Sequence, residues 1–327
     1  MFVLRQALRS SRVVLPATRP ISSSGPLVDL TVDGDGIAIM TLQRPPVNSL
    51  NLDLLKAINS SLDEIAKNKA KGMILTSVSI IMTIQTSHKI DLPETELCSI
   101  GILNIESGFI TKVAFNCISY RMASPTVFSA GLDIMEMYKP DLKRAEEFWS
   151  TLQEVWMKLF GSSFATAAAI NGHAPAGGCL LSMSCEWRAM VSGKYTIGLN
   201  ETALGIVAPT WFMDTMCNTI PVREAEFALT TGRLFTVDEA LKVGLIDEVA
   251  TDKADAINKC KTFLKRFERI PSLARSLTKN KIRSGPVLRL QKNRQADIQE
   301  FLQIIQSPKV QQSLDMYIQM LKKKSAK

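Results

Sequence analysis

The sequence predicts an α/β domain, on three observations. Residues 28–33 and 36–42 are apolar, strand-like runs on either side of Asp35-Gly36, a strong hairpin-turn signal. A helical pattern over 52–67 leads into the apolar strand Gly72-Met73-Ile74-Leu75-Thr76-Ser77. After residue 124 strand and helix patterns alternate again, and that order belongs to layered α/β folds.

Each element follows from its residues. Arg44-Pro45-Pro46-Val47-Asn48-Ser49 breaks the second strand, and Asn51 can cap a helix whose Leu55, Ile58, Leu62 and Ile65 recur at spacings of three and four. From 78 to 123 periodicity disappears, Val78-Ser79-Ile80-Ile81-Met82 running on through Pro93, Gly101 and Gly108; this stretch reads as an insertion. The plainer reading is an ordinary extra hairpin or helix; the others are a surface lid, or a retained intron or gene-model error, since GTAAGT could encode Val78-Ser79. A loop at 124–135, a helix around 140–160, a strand at 166–170 and a Gly-rich turn come next. An apolar helix begins near Gly177, and strands near 186–191 and 195–197 lead to the turn Asn200-Glu201-Thr202. Helices are expected at 222–231, 236–242, 252–268, 271–283 and 289–305. A further, final helix starts at Ser307-Pro308, proline being favoured at a first helical position. Its stripe Val310, Leu314, Tyr317 and Leu321 must pack in cis or on a neighbouring subunit.

The 327 residues carry 39 Lys plus Arg against 31 Asp plus Glu, a net charge of +8. Half of that excess is Arg5, Arg9, Arg12 and Arg19, in a Ser-rich leader with no acidic residue before Asp29. That is the composition of a mitochondrial transit peptide, assigned to residues 1–24. What remains gives no argument for nucleic acid, and no aromatic-interleaved basic stripe supplies one. Cys98, Cys117, Cys179, Cys185, Cys217 and Cys260 include no C-x-x-C pair, so neither zinc nor a disulfide framework is indicated. No apolar run is long enough to span a bilayer. His88 and His173 are the only histidines and G-x-S-x-G is absent, so an enzyme of this sequence would use a carboxylate base and backbone oxyanion donors.

Three segments could supply those groups. Phe128-Ser129-Ala130-Gly131-Leu132-Asp133 is small enough for main-chain N–H groups to approach a ligand. Asn171-Gly172-His173-Ala174-Pro175-Ala176-Gly177-Gly178-Cys179 lies between a strand and an apolar helix, whose N-terminus favours negative charge. In Ile197-Gly198-Leu199-Asn200-Glu201-Thr202 the carboxylate sits among apolar neighbours, where desolvation suits it to proton transfer. Each has a plainer reading: tight turns for the first two, a helix-dipole partner for Glu201. His173 reads as a locally bonded turn residue and Cys179 as a small buried apolar group.

In this order and spacing, and with Pro45-Pro46-Val47-Asn48-Ser49-Leu50, the segments resemble the crotonase (enoyl-CoA hydratase/isomerase) superfamily, from about Leu27 to the C-terminus except for 78–123. The resemblance implies a spiral of ββα units over 25–270 and a helical trimerisation region over 271–327. It places the oxyanion donors on the N–H groups of Leu132 and Gly177, CoA binding on Ser129, Ala130, Gly131, Leu132, Asp133 and Gly177, and the catalytic carboxylate on Glu201. Where hydratases carry a second Glu this chain has Leu180, which favours the isomerase branch. The implied activity is conversion of 3-enoyl-CoA to (2E)-enoyl-CoA in β-oxidation of unsaturated fatty acids, in a homotrimer of the mitochondrial matrix. No metal or separate cofactor is expected, CoA being part of the substrate. A hydratase, or a non-catalytic relative binding acyl-CoA or RNA, is the alternative.

Overall fold

The computed structural model describes residues 25–78 and 127–325; the expected leader, and the expected insertion apart from Val78, lie outside them. Strands β1 (Val28–Val32) and β2 (Ile37–Leu42) form the antiparallel hairpin. The Asp33 carboxylate sets its turn by accepting from the N–H groups of Asp35 and Ile37, both at 3.0 Å. Helix α1 (Leu52–Lys67) starts where Asn51 accepts from Leu54 N at 3.0 Å, and buries the predicted stripe. Strand β3 (Gly72–Ser77) pairs parallel to β2. The chain leaves the described region after Val78 and returns at Val127, whose carbonyl lies 3.4 Å from Ser77 Oγ. Ser77 and Val127 are thus neighbours in space.

Beyond the gap come a 3₁₀ turn (Ile134–Glu136), α2 (Leu142–Phe160), β4 (Ala165–Ile170), β5 (Ala174–Pro175), α3 (Gly177–Ser184), β6 (Trp187–Val191) and β7 (Thr196–Gly198). After a second 3₁₀ turn (Thr202–Leu204) follow α4 (Thr210–Cys217), α5 (Val222–Thr231), β8 (Phe235–Thr236), α6 (Val237–Val243), β9 (Glu248–Ala250) and α7 (Lys253–Lys265). Two long helices, α8 (Ser272–Gln306) and α9 (Pro308–Ser325), close the described chain. One sheet has the order β1-β2-β3-β4-β6-β9, parallel apart from the hairpin; a smaller one has the order β5-β7-β8. Successive strand pairs, β4 with β5 and β6 with β7, place one strand in each sheet, which makes the layers spiral. Along β4 the side chains alternate: Ala165, Ala167 and Ala169 pack with Ala256, Cys260 and Phe263 of α7, whereas Ala168 and Ile170 join the main core. Both faces of this parallel sheet are covered, as such sheets require.

Some elements differ from expectation. One continuous helix, α8, replaces the two expected at 271–283 and 289–305, running straight through Gly285-Pro286. Proline removes one helical hydrogen bond, but side chains on both sides of it are fastened to the same body. Upstream, Lys279 Nζ reaches Glu186 Oε2 (2.9 Å) and Ser162 Oγ (2.8 Å), Arg275 pairs with the other Glu186 oxygen, and Arg283 donates to the carbonyls of Phe160 and Ser184. Burial opposes ionisation of Glu186, yet Lys279 and Arg275 outweigh it and hold the carboxyl below its usual range. Downstream, Arg294 Nε donates to Gln153 Oε1 at 3.1 Å. Helix α4 and the short strands β5, β8 and β9 lack a sequence period of their own, and tertiary pairing creates them. Among the described residues no helix is long and apolar enough to cross a membrane.

Candidate active site

The oxyanion-type segments meet because the Pro-rich stretch runs beside them. Ala130 N donates to Val47 O, Leu50 N to Gly131 O and Asp133 N to Leu50 O, at 2.8–3.0 Å. Asn48 Nδ2 reaches Phe128 O, and Ser129 Oγ donates to Asn48 O at 2.8 Å. Asp133 pairs with Arg44 at 2.8 Å and caps the 3₁₀ turn. Ser129 and Asp133 therefore brace the loop with their side chains.

Against this loop lies the start of α3. Ala176 has φ 49° and ψ −121°, a strained conformation for a residue with a Cβ, and it turns the chain sharply from β5 into the helix. Close approach depends on missing side chains: a Cβ on Gly131 would stand 3.1 Å from Gly177 N, and one on Gly177 would stand 3.3 Å from Leu132 N. Gly131 also needs its φ of +88°. Among the described residues neither Leu132 N nor Gly177 N has a hydrogen-bond acceptor. Two adjacent free N–H groups, one of them at a helix N-terminus, make an anion-seeking corner.

Glu201 sits where β7 passes into the second 3₁₀ turn. Its carbonyl accepts from Leu204 N and Ile206 N at 2.9 and 3.1 Å, which fixes the backbone. Its side chain caps nothing: the residue is 8% exposed and both carboxylate oxygens are buried without a partner. The dipole-partner reading therefore fails for the side chain. Burial pushes the carboxyl up to about 7, the range in which one group can both take and return a proton.

This carboxylate faces an apolar cavity of about 550 Å³ bordered by Ala130, Leu132, Ala176 and Asn200. Gly177 adjoins Leu132 and Ala176 of that border, Ser129, Gly131 and Asp133 are not among the bordering residues, and Leu180, at 0% exposure, is core. The sequence reading missed the aromatic wall: Trp149 stacks on Phe301 with centroids 3.9 Å apart, next to Phe212. It also missed Asp297, which borders the cavity and accepts from Trp149 Nε1 and Gln153 Nε2, both at 2.7 Å, and from Trp211 Nε1 at 3.3 Å. These residues carried only the amphipathic signal of ordinary core helices. Helix α9 forms the remaining side, so its stripe packs in cis through Val310, Leu314 and Tyr317, whereas Leu321 stays exposed. Tyr138 Oη donates to Asp315 at 2.7 Å and Gln311 Nε2 to Met137 O at 2.8 Å, fastening α9 to the loop that follows the first donor segment. Cys179 is fully buried and its thiol is pushed well up by burial, which leaves no nucleophile there.

The enoyl-CoA hydratase/isomerase family model matches residues 122–325. The chain belongs to that family. It is 40% identical over 291 residues to the mitochondrial enoyl-CoA delta isomerase 1 of Mus musculus, covering 88% of this chain and 85% of that one. The Homo sapiens protein of the same name is 36% identical, covering 88% and 81%. A crystal structure of the human mitochondrial delta3-delta2-enoyl-CoA isomerase superposes with a TM-score of 0.74 over 91% of this chain and 99% of that one. The fold is accordingly that of the crotonases.

Proposed function

We propose that this protein isomerises 3-enoyl-CoA thioesters to (2E)-enoyl-CoA in the β-oxidation of unsaturated fatty acids. The observation that carries this reading is the lone, unpartnered Glu201 carboxylate in an apolar cavity that is also bordered by Leu132 and by Ala176, the residue before Gly177, where two N–H groups are free. The N–H groups of Leu132 and Gly177 receive the thioester oxygen. Glu201 removes a proton from C2, and the electron pair moves onto that oxygen as a dienolate. The same carboxyl then delivers the proton to C4 while the electrons return, leaving the double bond between C2 and C3, conjugated with the carbonyl. A shuttle of one proton between two carbons needs one carboxylate and no water. The apolar residue Leu180, standing where hydratases carry their second Glu, is consistent with that economy.

The loop Ser129–Asp133 borders the CoA portion, with Ala130 and Leu132 at the cavity and Ser129, Gly131 and Asp133 shaping the backbone. No step is routed through a metal or a separate cofactor. The mitochondrial names of the relatives, with the Arg- and Ser-rich first 24 residues, support import by a cleaved leader into the matrix. Exposed Leu273, Leu277 and Ile282 on α8 support assembly as a homotrimer.

The test is direct. Full-length purified protein given 3-hexenoyl-CoA should generate the conjugated 2-enoyl thioester; hydration of crotonyl-CoA outpacing that reaction would overturn the assignment. A companion expectation concerns α9. Tyr138→Phe removes the hydrogen bond to Asp315 and loosens one wall of the acyl cavity. It should raise KM for a long-chain 3-enoyl-CoA about threefold, the worth of one ordinary hydrogen bond, with kcat little changed. Steady-state kinetics on hexenoyl and dodecenoyl substrates would check this.

A further inference from the structure

The two donor segments and the carboxylate come from three separate stretches of chain, and one residue touches all three. His173 O accepts from Phe128 N at 2.9 Å and from Ser129 N at 3.3 Å, holding the first donor segment. Its own chain continues through β5 to Gly177. Its ring Nδ1 lies 3.1 Å from Thr196 N and 3.1 Å from Thr196 Oγ1, at the start of the strand that runs on to Glu201. A main-chain amide can only donate, so Nδ1 is the bare nitrogen and the ring proton is on Nε2. Tyr195 stands edge-on to the ring with centroids 5.4 Å apart.

The side-chain bond matters because the strand pairing beside it is thin. β5 meets β7 at only two positions, Ala174 with Ile197 and Pro175 with Gly198, and Pro175 has no N–H to contribute. Ala176 N to Gly198 O, at 2.8 Å, is the next tie. At the leading end of this short ladder the imidazole supplies the acceptor for Thr196 N. A slip of β7 there would carry Glu201 with it.

We propose that His173 is a positioning residue for the isomerisation: its ring acceptor fixes β7 on β5, and so fixes Glu201 relative to the N–H groups of Leu132 and Gly177. The inference rests on the isomerase reading above. Displacing a catalytic group by about 1 Å costs on the order of 100-fold in rate, and a partial slip costs less. His173→Ala and His173→Phe, which both lack the acceptor, should lower kcat about 10- to 100-fold with KM within about twofold of the wild type. His173→Phe fills the space of the ring and should melt near the wild-type temperature. His173→Asn, whose Oδ1 can replace Nδ1 as acceptor, should recover kcat to within about threefold. Steady-state kinetics on full-length protein with 3-hexenoyl-CoA, beside thermal melts, reads all three. Unimpaired kcat in both acceptor-less variants, or a loss in His173→Asn as large as in His173→Phe, overturns the proposal. A wild-type chain with no isomerase activity overturns the functional reading as well, so the two failures are distinguishable.

Discussion

Replacing Glu201 with Gln is expected to remove the isomerase activity and, above pH 7, to stabilise the protein. With the single proton carrier gone, kcat/KM should fall roughly 10³- to 10⁴-fold, the upper range for general acid–base catalysis. The stability effect has a definite pH window. The carboxyl titrates near 4.5 when solvated and about 7 in the fold, where burial disfavours its charge. Below the lower value both states are protonated and the group contributes nothing to the pH dependence. Between the two values the unfolded chain has lost a proton that the folded chain keeps, so stability declines as pH rises. Above the upper value the full penalty is present, about 3 kcal/mol. Gln resembles the protonated acid in size and is equally short of partners. The variant and the wild type should therefore be equally stable near pH 4 and differ by that amount at pH 8, several degrees in Tm. Denaturation at both pH values measures it, and an equal pH 8 stability would show that the carboxylate is not desolvated. The wild-type kcat/KM should correspondingly rise with pH and level off above about 7.

That residue also shows how far the sequence could be read. The apolar flanks of Glu201 announced desolvation, because side chains adjacent in a short turn stay adjacent in space whatever the fold. The segments that hold Leu132 and Gly177 stood out for a similar reason, small residues that let main-chain N–H groups approach a ligand, whereas the choice of those two donors within them came from the family resemblance. What could not be read depends on contacts distant in sequence. Asp297 gave no sign of accepting from two indoles and a glutamine, since its partners lie about 86 to 148 residues away. Pro286 argued locally for a helix end, and anchors on Glu186 and Gln153 overrode it. The stripe on α9 was clear, but its packing in cis was not, because periodicity tells which face is buried and never against what.

Gly177→Ala separates catalysis from stability in the opposite sense to a core mutation. Alanine is the better helix former by about 1 kcal/mol at most, so local propensity favours the change. The new methyl, however, would lie 2.9 Å from Leu50 Cδ1, 3.2 Å from Leu132 Cδ2 and 3.3 Å from Leu132 N. The two leucine side chains can swing away. Leu132 N is main chain, and its neighbours are pinned by Leu50 N to Gly131 O at 2.8 Å and Asp133 N to Leu50 O at 3.0 Å. The methyl therefore crowds the N–H on which the proposed oxyanion contact depends, and the misfit is confined to the site. Losing one such donor costs roughly 2.7–4 kcal/mol of barrier, so kcat with 3-hexenoyl-CoA should fall about 10²- to 10³-fold while Tm moves by no more than a few degrees. Gly178→Ala makes the control. Its methyl would meet Ser129 O at 2.6 Å, a main-chain atom behind the site, so the loop and α3 must separate and Tm should fall steeply. A Gly177→Ala protein that keeps wild-type kcat would take the oxyanion role away from this pair of N–H groups, whatever the melting curves show.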